Sequence, residues 1–377
     1  MYIYEKGVKS KVKKLAIIGA NSFQNRLILK AKELGFETHV FAWECGDIGE
    51  KTADYFYPIS IIEKDEILEK CKEIGICGIC SIASDLAAIT VNYVAEKLGL
   101  NGNPIEITEQ CTNKYEMRRC FKKHGIATPS FIKTNKVCDE IETMSYPLIV
   151  KPTDRSGSRS ITKVYKRDEL KEAIASAVND SFEKMAIVEE YISGDEYSCE
   201  CISFKGKHTY LTTTKKFTTG EPNFIETGHI QPAGLSKEME EKVKNYILNA
   251  LSALGIKNGA SHSEFRIDEN GEIRIIEIGA RMGGDCIGSD LVFLSTGLDF
   301  VKMVIDVACN IEPDFNQTGE KHKAEIKFIF GEEDEKELET IKKEAPQKIY
   351  FVSDIEKSDK VSDSSTRWGY YIMAEKM

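Results

Sequence analysis

The stretch Ser261–Gly284, SHSEFRIDENGEIRIIEIGARMGG, decides how the rest of this sequence is read. Two alternating segments flank Asp268-Glu269-Asn270-Gly271, and Asn-Gly in that setting is a strong hairpin signal. Successive strand side chains point to opposite faces. His262, Glu264 and Arg266 are therefore expected on one face of the first strand, and Arg274, Ile276 and Ile278 opposite Ile275, Glu277 and Gly279 on the second. Glu264 and Glu277 stand about equally far from the turn, which sets their carboxylates side by side. Like charges that close raise each other's pKa and destabilise the pair unless a cation lies between them. A hard divalent ion with oxygen ligands answers that need, and Mg2+ bound to nucleotide phosphates is the commonest use of so few carboxylates; two glutamates facing water are the plainer alternative. Just beyond, Gly279, Ala280, Arg281, Gly283 and Gly284 gather small residues around one cation, as where a backbone approaches something closely.

Upstream, Leu15–Ala20 reads as a buried parallel strand, followed by a helix to Leu34 and a second strand over Phe36–Trp43. This is a βαβ opening, but only Gly19 stands where a dinucleotide fingerprint needs three glycines, so NAD is not assigned. A strand over Gly78–Ile82 and a helix over Leu86–Leu98 complete the unit. Asn21, Gln24 and Asp85 lie near the carboxyl ends of these strands, where open α/β sheets bind ligands; helix capping explains them equally well. A helix from Thr112 to Phe121 carries Lys114, Arg118, Arg119, Lys122 and Lys123, by default a solvated face. Lys151 ends the strand Tyr146–Pro152. The small-residue loop through Ser156, Gly157 and Ser158 that follows is able to turn backbone N–H groups toward a phosphate. A strand over Ala186–Ile192 precedes another over Glu196–Phe204. Residues 213–235, rich in Thr, Gly and Pro, read as a long functional loop before the helix Lys237–Leu254. One helix is expected over Phe293–Ala308, with strands near Ala324–Phe330 and Gly369–Met373 in a small mixed terminal element.

The chain of 377 residues carries 51 Lys plus Arg against 61 Asp plus Glu, a net charge of -10 that argues against a broad nucleic-acid surface. Its 11 cysteines show neither a secreted disulfide framework nor zinc spacing, and no signal peptide is evident, so reduced thiols in a cytoplasm are expected. Cys77 with Cys80, and Cys199 with Cys201, sit in apolar strands and read as structural. No apolar run approaches the ~18 residues of a membrane span.

Taken in order, Lys114 on a helix, Lys151 at the end of IVKP, the Ser156-Gly157-Ser158 loop, VEEYISGDE, and Glu264 with Glu277 resemble the ATP-grasp carboxylate-amine ligases. The string EIGARMGGD, the SHSE strand and the TGH segment at 227–229 look most like the group of L-amino acid ligases and carbamoyl-phosphate-synthase-like proteins. The resemblance implies an α/β and α+β architecture. A Rossmann-like domain over 1–111 would precede an ATP-grasp fold with a mobile lid subdomain over 112–192 and a large subdomain over 193–377. It implies ATP as cofactor, with Lys114 and Lys151 on its phosphates, the Ser156–Ser160 loop closing over them, Glu189, Glu190, Tyr191 and Ile192 along the adenine through main-chain groups, and Glu196 near the ribose. Glu264 and Glu277 would hold Mg2+, or Mn2+ in its place. Arg281 would face the transferred phosphate or acyl group, with His262 as a substrate contact, a proton acceptor or a hydrogen-bonded strand histidine. Many relatives have Asn where this chain has Gly279, which leaves the number of metal ions open. The implied partners are a small-molecule carboxylate and an amine, with neither nucleic acid nor membrane; dimers are common in that superfamily. A bicarbonate-activating carboxylase and a nucleotide-binding regulator without turnover are the competing readings.

Overall fold

Leu15-Ala16-Ile17-Ile18 is fully buried, a continuous apolar run that suits a strand covered on both faces. In the computed structural model, which describes residues 12–155, 157, 159–221 and 224–377, this run lies in β1 (Lys14–Ile18) at the centre of a parallel sheet. There follow α1 (Ser22–Glu33), β2 (Glu37–Phe41), α2 (Ile48–Thr52), β3 (Tyr55–Tyr57), α3 (Lys64–Ile74), β4 (Gly78–Cys80) and α4 (Asp85–Leu98), giving the strand order β3-β2-β1-β4. Asn21 caps α1 by accepting from the Gln24 N–H at 3.1 Å, and the buried Gln24 carboxamide engages both the N–H and the C=O of Ile82. Asn21 thus acts as a helix cap, and Gln24 answers the amide and carbonyl of Ile82 just past the end of β4.

Next come α5 (Ile105–Thr112), which the sequence had not indicated, and α6 (Lys114–Lys123). A second sheet follows, built from β5 (Phe131–Thr134), β6 (Leu148–Pro152), β7 (Thr162–Val164) and β8 (Ala186–Glu190) in the order β5-β8-β6-β7. The intervening helix α7 (Leu170–Asp180) lays Leu170, Ile174 and Ala177 against Leu148, Val150 and Val188.

The third sheet has eight strands. It contains β9 (Asp195–Phe204), β10 (Lys207–Thr218) and β11 (Glu226–Gln231), then, after α8 (Lys237–Leu254), β12 (Gly259–Ile267) and β13 (Ile273–Gly279). After α9 (Val292–Thr296) and α10 (Phe300–Ala308) it is completed by β14 (His322–Ile329) and, following α11 (Glu332–Glu344), β15 (Ile349–Val352) and β16 (Gly369–Lys376), in the order β13-β12-β9-β10-β11-β14-β16-β15. The two strands expected near the C-terminus therefore belong to this sheet. Residues 213–235 are not a long loop. Thr212-Thr213-Thr214 and Phe217 have strand-forming side chains, and β10 pairs with β9 on one side and β11 on the other, leaving only a short connection around Thr219–Ile225. The expected helix over Phe293–Ala308 is broken in two at Gly297, whose φ of +75° ends α9, and Asp299 recaps α10 through the Lys302 N–H.

Helix α8 covers one face of this sheet, with Val243, Ile247 and Leu251 against Phe265, Ile275 and Ile278. Helix α10 is buried along nearly its whole length, wedged between the parallel sheet and β9 and β12, so the first domain is fixed to the third sheet by apolar contact. All 11 cysteines are free thiols, and Cys80, Cys199 and Cys201 are buried in the cores. Among the described residues no helix is long and apolar enough to cross a membrane.

Candidate active site

The hairpin β12–β13 closes as its sequence dictates. The Gly271 N–H donates to Asp268 O at 2.9 Å and the Asp268 N–H to Glu272 O at 3.1 Å, with Gly271 at φ +74°. The resulting register pairs Glu264 directly with Glu277 and His262 with Gly279. Strict alternation fails at one point. Glu264 pairs with Glu277 but Phe265 with Ile275, so Ile276 is an extra residue, a β-bulge. Ile276 and Glu277 consequently both line the cavity, while Ile275 and Ile278 both enter the core beneath α8.

That cavity, of about 340 Å³, lies where the three sheets meet. Lys114, Lys151, Gly157, Glu189, Glu190, Tyr191, Ile192, Glu196, His262, Glu264, Glu277 and Arg281 all line it; Ser156 and Ser158 lie outside the described residues. Lys114 opens α6 behind its N-cap Asn113 and donates from Nζ to Arg155 O at 2.6 Å and to Glu277 Oε1 at 3.1 Å. Lys151 on β6 lies 2.7 Å from Glu189 Oε2, and the other oxygen of that carboxylate accepts from Arg118 Nε. Lys114 and Arg118 are 5% and 0% exposed, so the expected solvated cationic face of α6 is confined to its other residues. Burial alone would raise the Glu189 pKa, but the Arg118 and Lys151 charges outweigh it and hold the carboxyl at about 2.

On the next edge the Glu190 carboxylate accepts from the Ser145 N–H and the Ser130 hydroxyl, each at 3.0 Å. The Glu190 N–H donates to Ser130 O, the Tyr191 N–H to Pro147 O, and Ile192 O accepts from Arg266 Nη1 at 2.6 Å. Several of the main-chain groups on this edge are thus already engaged. Arg266 also grips Glu196 at 2.9 Å, and Lys163 lies 3.9 Å above the Tyr191 ring.

The carboxylate pair is compensated by lysines. Lys216, fully enclosed on β10, contacts Glu264 and lies 3.5 Å from Glu196 and 3.8 Å from Glu226. Burial opposes its charge, but these three carboxylates raise its pKa overall, just as Lys216 and His262 draw Glu264 well below its ordinary value against burial. His262 presents Nδ1 to Glu200 and Nε2 to Glu264 at 3.3 Å. Burial disfavours its imidazolium, yet the two carboxylates raise its pKa overall. His262 is thus hydrogen-bonded on its strand and also lines the cavity. Arg281 forms a two-pronged pair with Asp85 at 2.9 and 3.1 Å, so the first domain supplies Asp85 to the site. At its far end Asp285 is paired with Arg367 at 2.8 Å and lies 3.6 Å from the fully buried His229.

Arg118, Lys216, Arg266 and the Asp285–Arg367 pair carried no sequence signal strong enough to single them out. Lys216 was hidden because its strand looked like a loop, and Arg118 because its helix carries five cations.

Comparison with known proteins fits this geometry. Residues 144–290 match the family model described as ATP-grasp domain. Over that segment the chain is similar to the ATP-grasp domain family. It is 28% identical over 305 residues to alanine–anticapsin ligase of Bacillus subtilis, a match covering 70% of this chain but 63% of that protein, less than two thirds of its length. It is 29% identical over 205 residues to D-alanine–D-alanine ligase B of Chromobacterium violaceum, covering 52% of this chain and 66% of that one. Among solved structures, the L-amino acid ligase of Bacillus licheniformis superimposes with a TM-score of 0.81 at 26% identity, over 98% of this chain and 95% of that one. Phosphoribosylglycinamide synthetase of Anaerococcus prevotii, with a TM-score of 0.77 at 22% identity over 97% of this chain and 95% of that one, shares the fold. The mixed fold of parallel and antiparallel sheets expected from the sequence is the fold observed.

Proposed function

We propose that this protein is an ATP-dependent carboxylate-amine ligase. It activates a small-molecule carboxylate, an amino acid, as an acyl phosphate and joins it to an amine, releasing ADP and phosphate. The observation that carries this reading is one cavity holding Lys114 and Lys151 on one side, the Glu264–Glu277 pair on the other, and Arg281 between the first domain and the hairpin. The similarity to amino acid ligases supports the substrate class.

A carboxylate is a poor electrophile, and moving the γ-phosphoryl of ATP onto it creates a leaving group. That step asks chiefly for positioning and charge neutralisation. Lys114 and Lys151 hold phosphate oxygens, and Arg281, oriented by Asp85, faces the oxygens on which charge develops. Glu264 and Glu277 are hard oxygen donors paired on one face, which fits Mg2+, or Mn2+ in its place. Such an ion would neutralise phosphate charge. The amine then attacks the acyl carbon and phosphate departs. His262 orients Glu264. Gly279 brings no amide to the metal site, and its place explains why: a Cβ there would lie 2.9 Å from Asp85 Oδ1 and 3.3 Å from Arg281 Nε.

The test is ADP release from Mg-ATP across a matrix of amino acids, small carboxylates, amines and bicarbonate, with mass spectrometry of the products. ADP that requires two organic substrates and a product mass equal to their sum less water is the expected result. Stimulation by bicarbonate alone would replace the ligase by a carboxylase, and ATP binding without turnover on any substrate would replace it by a regulator.

A further inference from the structure

Lys151 and Glu189 pose an electrostatic problem. Both are at least 95% buried, and their charged atoms are 2.7 Å apart. A lysine neutralised by its own glutamate offers little to an anion. Arg118 resolves this. It is 0% exposed, contacts the Oε1 oxygen that Lys151 leaves unused, and its Nη2 donates to Ile276 O at 2.8 Å, at the bulge beside Glu277. Among the described residues Nη1 has no partner. Counted at their ordinary charges, Arg118, Glu189 and Lys151 make two cations and one anion, a net +1 facing the cavity; burial and the Arg118 and Lys114 charges lower the Lys151 pKa, and the Glu189 carboxylate opposes them.

We infer that Arg118 is a positioning residue that neutralises Glu189 and thereby leaves the Lys151 ammonium free to hold a nucleotide phosphate, while its second arm fixes the bulge that carries Glu277. This rests on the ATP-binding reading above. Guanidinium suits the task because it cannot lose its proton and reaches two acceptors from one plane, which an ammonium does less well. Burial makes the arrangement effective, since a charge shielded from water acts on its neighbour through a low dielectric. Removing Arg118 leaves Glu189 and Lys151 a neutral pair, so the phosphate side of the cavity loses its net charge though no phosphate contact has been deleted.

The experiment measures ATP and adenosine affinities by calorimetry for the full chain and for Arg118→Met, Arg118→Lys, Glu189→Gln and the Arg118→Met/Glu189→Gln double variant. Arg118→Met should weaken ATP by about 10- to 100-fold, the range of a charge-assisted bond, and leave adenosine within about twofold. The double variant restores the +1 charge and should recover most of the loss. Arg118→Lys should fall between Arg118→Met and wild type. Equal ATP affinity in Arg118→Met, equal losses for ATP and adenosine, or a double variant weaker than the single would each overturn the inference in favour of a purely structural arginine. Should Arg118→Met fail to fold, Glu189→Gln decides. It leaves two unopposed cations and should bind ATP at least as tightly as wild type; weaker binding overturns the proposal. Wild-type protein that binds no ATP removes the nucleotide reading itself, an outcome distinct from all of these.

Discussion

The two walls of the cavity solve opposite electrostatic problems. The wall made by α6, β6 and β8 sets Lys114, Lys151 and Arg118 against Glu189, with Glu190 at its edge. The wall made by β9 to β13 sets Glu196, Glu226 and Glu264 around Lys216, with Glu277 beside Glu264 and Arg266 pinned to Glu196. The first has surplus positive charge and the second surplus negative charge. The two walls are joined across the gap, where Lys114 reaches over to Glu277 at 3.1 Å. Under the function proposed above, a magnesium nucleotide would present phosphates to one wall and a cation to the other, taking the place of that internal contact.

Lys216 is where the carboxylate wall is most easily broken. Lys216→Met removes the one ammonium shared by three carboxylates, and stranding a buried charge in this way costs roughly 3–5 kcal/mol. The variant should melt well below wild type, and added Mg2+ should raise its melting temperature by more than it raises that of the wild type, because the ion takes over the missing compensation. An unchanged melting curve, or no added benefit from the ion, would mean that Lys216 is incidental to the wall.

Glu277→Ala sharpens the same comparison from the other direction. It removes half of the carboxylate pair and also frees Lys114 from its cross-cleft partner, so nucleotide binding survives while divalent-dependent turnover falls about 10²- to 10³-fold, the usual cost of deleting one preorganised charge. Circular dichroism should report a normal fold. Turnover at the wild-type rate would end the metal assignment.

How much of this was legible in advance differs between the walls. The Glu264–Glu277 pairing followed from the sequence because one tight turn fixes the register of both strands, a constraint local to a dozen residues. The bulge at Ile276 did not follow, because its carbonyl answers to Arg118, 158 positions away. Arg118 itself looked like one more cation in a solvated stripe; its other partner, Glu189, is 71 positions distant. Lys216 was missed for a different reason. Its segment is rich in Thr, and Gly and Pro lie close behind, so composition suggested a loop, whereas β10 is a strand only because β9 and β11 flank it. Local chemistry was readable, and long-range charge compensation was not.

The smallest effect concerns Gly279, the seam between the carboxylate hairpin and the first domain. A methyl group here would lie 2.9 Å from Asp85 Oδ1 and 3.3 Å from Arg281 Nε, closer than van der Waals contact allows. The Asp85 carboxylate would have to rotate, but it is held in a two-pronged pair with Arg281, whose charged state it stabilises against the penalty of burial. Gly279→Ala should therefore displace the guanidinium by a few tenths of an ångström and not unfold the hairpin, since β13 ends at this residue. If Arg281 has the role proposed above, the expected outcome is a loss of turnover of about tenfold with ATP affinity unchanged. Pairing the change with Asp85→Ala makes room for the methyl group but also releases the arginine, so the double variant should be no better than the single. Recovery in the double variant would show that steric crowding alone matters at this seam and that Asp85 does not orient Arg281.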